Sequence, residues 1–335
     1  MNSLLLHHHS HIAAVSLQIP APATALLLAH HHPLQTSHYT LKPQNPIKIK
    51  LHQSITPNSH HNPSTQDDGI PVDEVKTLAK FKSRHNYIRV LEVSRRADHP
   101  FAGSRLLLLD QPGNIHSISF LFKSLTTTYF DVFATLPPIL PPGPIGILGF
   151  GAGSAARLLL ELYDDRDIHG WELDPSVISV GREFFGLSKL EKQHTDRLFI
   201  YIGNAMNATV IGGFAGLLVD LFGKGCLIPE LQQRRTWEML RDRLKIGGRL
   251  MVNVGGSCVE PEDSRRNGKT LMNETLKVMD EVFPGQLSVL NLGNRKDDSS
   301  IALTGNRPDV EEWKQSLPKS LRFYAGMWTP LKIGD

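Results

Sequence analysis

Ile145-Gly146-Ile147-Leu148-Gly149-Phe150-Gly151-Ala152-Gly153 is a short apolar run that ends in three alternating glycines, and Ile168-His169-Gly170-Trp171-Glu172-Leu173-Asp174 is a second apolar run that ends in acid. The first reads as a strand leaving through a tight turn into a helix over 152–162, since glycine accepts the positive φ that such a turn needs. The second reads as the next strand, with Asp174 before Pro175 as the cap of a helix over 175–184. Strand, glycine turn, helix, strand and acid in that order decide the fold class: α/β, with a mostly parallel sheet.

Glu172 stands nineteen positions beyond Gly153. A carboxylate at the tip of the second strand is placed to accept from both hydroxyls of a ribose, while Gly149, Gly151 and Gly153 let a ligand lie against bare backbone at a helix N-terminus. The pair therefore points to a nucleoside ligand, S-adenosylmethionine or its decarboxylated form. A dinucleotide such as NAD is the alternative, but its turn carries a third glycine three residues on, which is absent here. Gly203-Asn204-Ala205 closes a third strand over 198–202; it resembles the Gly-Asp-Ala that nucleoside-binding folds of this kind often carry there, which implies the Asn204 amide oxygen as a candidate acceptor for an adenine amine. Asp220 closes the fourth, over 217–220, facing the crevice where open α/β sheets bind ligands, and is the candidate catalytic carboxylate.

Outward from this centre, a helix over 229–244, a Gly247-Gly248 turn, a strand over 249–254 and a helix over 270–282 continue the alternation. The end differs: 287–292, polar 293–298 and 300–303 read as a terminal antiparallel hairpin, the habit of class I methyltransferase-like folds. Upstream, 87–93, 105–109 and 115–120 are short strands separated by Pro and Gly signals, a small antiparallel sheet. Residues 126–136 have helical spacing, with Tyr129 as a candidate pocket residue, and the proline-rich run after it reads as a linker. The expected organisation is thus a tail over 1–66, a β domain over 67–125, helix and linker over 126–143, a Rossmann-like domain over 144–305, and a C-terminal helix and tail over 306–335.

The chain has 36 Lys and Arg against 33 Asp and Glu, but Lys42, Lys48 and Lys50 are the only charged residues of the first 66. Without those three the balance is even, so charge offers no case for nucleic acid as a partner. No apolar run reaches the length of a membrane span. The acid-free, Ser-, Thr- and His-rich opening reads as a transit peptide, and its lack of Arg favours a chloroplast address; a secretory signal centred on 21–29 is the alternative. Its His runs read as a solvated tail rather than a metal site. Cys226 and Cys258 lack metal-ligand or C-x-x-C spacing and read as reduced thiols.

With Leu107-Leu108-Leu109-Asp110, the stretch 129–137, the glycine turn, Glu172-Leu173-Asp174 and Val219-Asp220 in view, residues 80–305 resemble spermidine synthase and the wider aminopropyltransferase family. The resemblance implies a small-molecule acceptor, a homodimer paired through the N-terminal sheets, and Asp110 and Tyr129 near the substrate pocket. It also implies four departures. The family's donor-binding Asp is matched by Ala152, the second acid of its strand-four motif by Gly223 followed by Lys224, and two polar acceptor contacts by Phe130 and Thr135. Loss of those acids argues against a polyamine acceptor and for the full donor. The expectation is therefore methyl transfer to an unknown small acceptor, with aminopropyl transfer and a non-catalytic nucleoside-binding module as alternatives.

Overall fold

The computed structural model describes residues 70–111, 113–256, 259–292 and 299–332. The leader expected over 1–66, Cys258 and the hairpin tip 293–298 lie outside them.

Four antiparallel strands come first: β1 (Val75–Lys82), β2 (Tyr87–Val93), β3 (Ser104–Leu108) and β4 (Ile115–Phe120), paired in that order. The first of these was missing from the sequence reading, because its side chains are half-buried or exposed and show little alternation. Helix α1 (Tyr129–Phe133) is shorter than the periodicity of 126–136 suggests. Its N-terminus is pinned by Asp131, whose carboxylate accepts from Thr126 N, Thr126 Oγ1 and Thr127 N at 2.7–2.8 Å, so the preceding turn is not helical.

The α/β layer runs β5 (Ile145–Leu148), α2 (Ser154–Leu162), β6 (Ile168–Glu172), α3 (Pro175–Phe184), α4 (Leu187–Gln193), β7 (Leu198–Ile202) and β8 (Phe214–Val219). A two-stranded hairpin, β9 (Phe222–Gly223) and β10 (Cys226–Leu227), follows. Then come α5 (Arg234–Asp242), β11 (Leu244–Gly255), α6 (Gly268–Val282), β12 (Leu287–Asn291), β13 (Ser300–Thr304), α7 (Val310–Ser316), α8 (Arg322–Ala325) and β14 (Thr329–Pro330). Two expected boundaries move. The helix over 229–244 splits into a 3-10 turn, Pro229–Gln232, and α5; β11 starts early, at Leu244, with an irregularity before Arg249.

The large sheet has the order β14-β12-β13-β11-β8-β5-β6-β7. Pairing is parallel from β11 through β8, β5 and β6 to β7, and antiparallel where β13 meets β11 and β12. This is the class I methyltransferase-like arrangement with its reversed strand. β5 is buried on both faces, which explains a run without alternation. Chain order reverses beside β5, since β6 lies on one side and β8 on the other; the crevice at the carboxyl ends of these strands is where such sheets bind ligands.

The small sheet and the α/β layer share one core, in which Leu91, Leu106 and Ile118 pack with Phe133, Leu158 and Ile178. The segment after 305, expected as helix and tail, also belongs to this core. Trp313 and Trp328 are each 2% exposed, and β14 pairs with β12. No helix among the described residues is long and apolar enough to cross a membrane.

Candidate functional site

The glycine turn leaves β5 with φ of 89° at Gly149, 56° at Gly151 and 90° at Gly153. The positive values are as expected, but the space beside these residues is filled by the protein. A Cβ on Gly149 would lie 2.0 Å from the Asp220 carbonyl oxygen, and one on Gly151 would lie 2.6 Å from Ser117 Oγ. At Gly153 the neighbours are Leu187 and the Phe150 ring, both at 3.2 Å. The glycines therefore let β8 and the small sheet close against the turn on the side where side chains would stand. β4 reinforces the contact: Ser117 Oγ accepts from Ala152 N at 2.9 Å, and Ser154 Oγ bridges Ile118 N and O at 3.0 Å.

Glu172 ends β6 and is 8% exposed. Its Oε2 accepts from Gly151 N at 2.9 Å and its Oε1 from Asp174 N at 3.0 Å. Each oxygen keeps a second lone pair, so the carboxylate can still receive a pair of hydroxyls. Burial pushes Glu172 above the usual carboxylate range, against the two amide bonds that favour its charge. Asp174 is the expected cap, accepting from Ser176 N at 2.9 Å. Its other oxygen accepts from Asn86 Nδ2 at 2.7 Å and from the Ser83 hydroxyl, so the β1–β2 turn is tied to the tip of β6. Asn204 is exposed, and its amide oxygen accepts from Met206 N at 2.9 Å, giving it a capping partner that sequence alone did not suggest.

Asp220 sits half-buried just past β8. Tyr129 Oη donates to its Oδ2 at 2.7 Å and Asn253 Nδ2 to its Oδ1 at 3.0 Å. Burial pushes the Asp220 carboxyl up to about 6, with Tyr129, Asn253 and His116 acting the other way. Burial and the adjacent carboxylate raise Tyr129 well above its ordinary value, so its hydroxyl stays the donor. The same Tyr129 ring packs on Phe130 and Phe133, so it serves both core and crevice.

Asn114, Ile115, His116, Tyr129, Asp220, Phe222, Gly225, Asn253 and Val259 line a cavity of about 10 Å³, room for one water. Asp110 is not among them. It lies behind, 2% exposed, accepting from Gly113 N, Asn114 N, Asn114 Nδ2 and His116 Nε2, which corrects its expected place in the pocket wall. Asn253 and His116 were not singled out from sequence. Asn253 had a signal, a lone amide within apolar Leu250–Val254; His116 had none beyond its place in an alternating strand.

No family model matches the chain. It is similar to a curated protein, "Probable polyamine aminopropyl transferase" of Bifidobacterium longum (strain NCC 2705), at 24% identity over 187 residues, 56% of this chain and 39% of that one. The chain thus spans well under half the length of that curated relative. Among solved structures, spermidine synthase in complex with the transition state analogue AdoDATO superposes with a TM-score of 0.51 at 16% identity, covering 74% of this chain and 78% of the other. Spermidine synthase from Thermotoga maritima also gives 0.51 at 16%, covering 75% and 87%. The chain is spermidine synthase-like in fold.

Four departures from the aminopropyltransferase pattern can now be placed in this spermidine synthase-like frame. Ala152 is 2% exposed and packs with Ile88, Val90, Leu107, Val177, Val180 and Phe185. Phe130 is core, and the Thr135 hydroxyl is spent on Val132 O at 2.7 Å. Gly223 and Lys224 are exposed on the β9–β10 hairpin, whereas Phe222 and Gly225 of that hairpin line the cavity. None of the four lines the cavity beside Asp220.

Proposed function

We propose that the chain is a transferase that moves an aminopropyl group from decarboxylated S-adenosylmethionine to a small amine, with Asp220 as general base. One observation carries the reading: a carboxylate raised to about 6, held by Tyr129 and Asn253 at the mouth of the switch-point crevice. A base of that strength is poised to take the proton of an attacking amine near neutral pH. Glu172, two strands away across β5 and so about 10 Å distant, would hold the ribose hydroxyls of the donor. The sulfonium nucleoside brings an activated carbon; the chain's own residues orient it and accept the proton. Similarity to the aminopropyl transferase relative and the spermidine synthase fold support this choice over methyl transfer.

Calorimetry with the decarboxylated and the full donor, together with release of methylthioadenosine in the presence of putrescine, tests the proposal. The expected result is micromolar binding of the decarboxylated donor and turnover that Asp220→Asn lowers by about 10²–10⁴-fold with binding retained. Tighter binding of the full donor returns methyl transfer to first place. Binding without turnover by either donor identifies a nucleoside-binding module instead. We further propose that residues 1–66 direct the chain to the chloroplast; a fluorescent fusion that stays in the cytosol refutes it.

A further inference from the structure

His116 lines the cavity beside Asp220, on β4, and its Nε2 lies 3.1 Å from Asp110 Oδ2. Asp110 is otherwise surrounded by N–H donors: Gly113 N at 2.9 Å and Asn114 N at 3.1 Å on Oδ1, Asn114 Nδ2 at 2.7 Å on Oδ2. Burial works to raise Asp110, but His116, Asn114 and the Gly113 amide together hold it below the ordinary carboxylate value. An ionised carboxylate only accepts, so Nε2 must carry the hydrogen of this contact and the neutral ring keeps its lone pair on Nδ1. This is the logic of an oriented base: a buried acid selects the tautomer and leaves the other nitrogen as the acceptor.

We infer that His116, oriented by Asp110, is a second proton acceptor of the crevice and drains the proton that Asp220 takes from the attacking amine. The inference rests on the transferase reading and deepens it. The amine nitrogen forms a bond to the carbon next to the sulfonium, and the carbon–sulfur bond breaks with its electron pair going to sulfur, which becomes a neutral thioether. The positive charge has then moved to nitrogen. Asp220 takes one proton from that nitrogen, leaving a neutral amine, and passes it through a water of the cavity to His116 Nδ1. The imidazolium so formed faces the Asp110 carboxylate, Asp220 is ionised again, and the proton leaves to solvent. Asp110 is a positioning residue in this scheme. The titratable groups facing His116 are Asp110 after β3, Asp220 after β8, Glu172 of β6 and Tyr129 of α1.

The test uses the purified full chain in two measurements. In ¹⁵N-histidine spectra, with the His116 signals assigned by their loss in His116→Gln, the neutral ring should show its hydrogen on Nε2; a hydrogen on Nδ1 overturns the inference whatever the variants do. In steady-state transfer from decarboxylated S-adenosylmethionine to putrescine, His116→Gln should lower kcat 10- to 100-fold and change the shape of the pH–rate profile while a single turnover from ionised Asp220 stays near wild type, and Asp110→Asn should do the same with the tautomer preference lost. A wild type that transfers while His116→Gln stays within twofold of it at every pH overturns this inference alone. A wild type that transfers nothing overturns the transferase reading and this one with it.

Discussion

Asp220 is ionised at neutral pH in a place that opposes its charge. Its folded value is about 6 and its unfolded value close to the ordinary 3.9, so between those values the folded chain holds more protons than the unfolded one. Stability therefore falls as pH rises through that window, and above it the charge costs on the order of 3 kcal/mol. Asp220→Asn should raise Tm at pH 7.5 and lose most of that advantage at pH 4; a gain independent of pH would sink the argument. At Gly149, closeness adds to conformation. Gly149→Ala meets the Asp220 carbonyl at 2.0 Å, whereas Gly247, at φ 77°, has nothing within 4 Å of its missing Cβ. Urea unfolding should show a loss of about 3 kcal/mol at Gly149 and ~1 kcal/mol at Gly247. Ala152→Asp should destabilise strongly, because its carboxylate would enter an apolar cluster without a partner.

Three connecting segments close the crevice over Asp220. The Asn114 side chain joins the first, after β3, to the one at 259–262: Nδ2 donates to Glu260 O at 3.0 Å and Oδ1 accepts from Glu260 N at 3.1 Å. Glu262 accepts from Gln111 N at 3.2 Å through Oε1, and its own N donates to Lys224 O at 2.9 Å. At about 10 Å³ the space beside Asp220 is far below the several hundred Å³ of an ordinary ligand site. Asn114→Ala removes a bidentate tie worth about 1–3 kcal/mol. Amide exchange over 222–227 and 259–262 should quicken by about 10- to 100-fold, with β5 unchanged. Equal protection in both proteins would show that the tie does not hold the segments shut.

Across the molecule, the chain after 305 completes both the core and the sheet. Trp313 Nε1 donates to Thr135 O at 2.8 Å, and Trp313 stacks near Trp328 with centroids 6.1 Å apart. β14 covers the edge strand β12, where Pro330 is tolerated because an edge position does not need its N–H. Ending the chain at 308 should leave β12 unpaired on that side and open the cluster around Leu321 and Tyr324. Trp313→Ala alone should cost about 3–5 kcal/mol in chemical denaturation. A truncated chain with unchanged Tm would refute this role.

The α/β class, the parallel strands, the reversed β13, the Asp174 cap and the placement of Glu172 and Asp220 at strand ends were legible in the residues. Each follows from local chemistry: glycine where φ is positive, acid before a helix, apolar runs where both faces are covered. What occupies the space beside those residues was not. Ser117 against Gly151, Ala152 among valines and leucines, Asp110 behind His116, and Asn253 on Asp220 are contacts between segments 30 or more positions apart or across different elements. Propensity and periodicity act over a few residues, whereas the partner of a buried carboxylate is chosen by how the sheets pack.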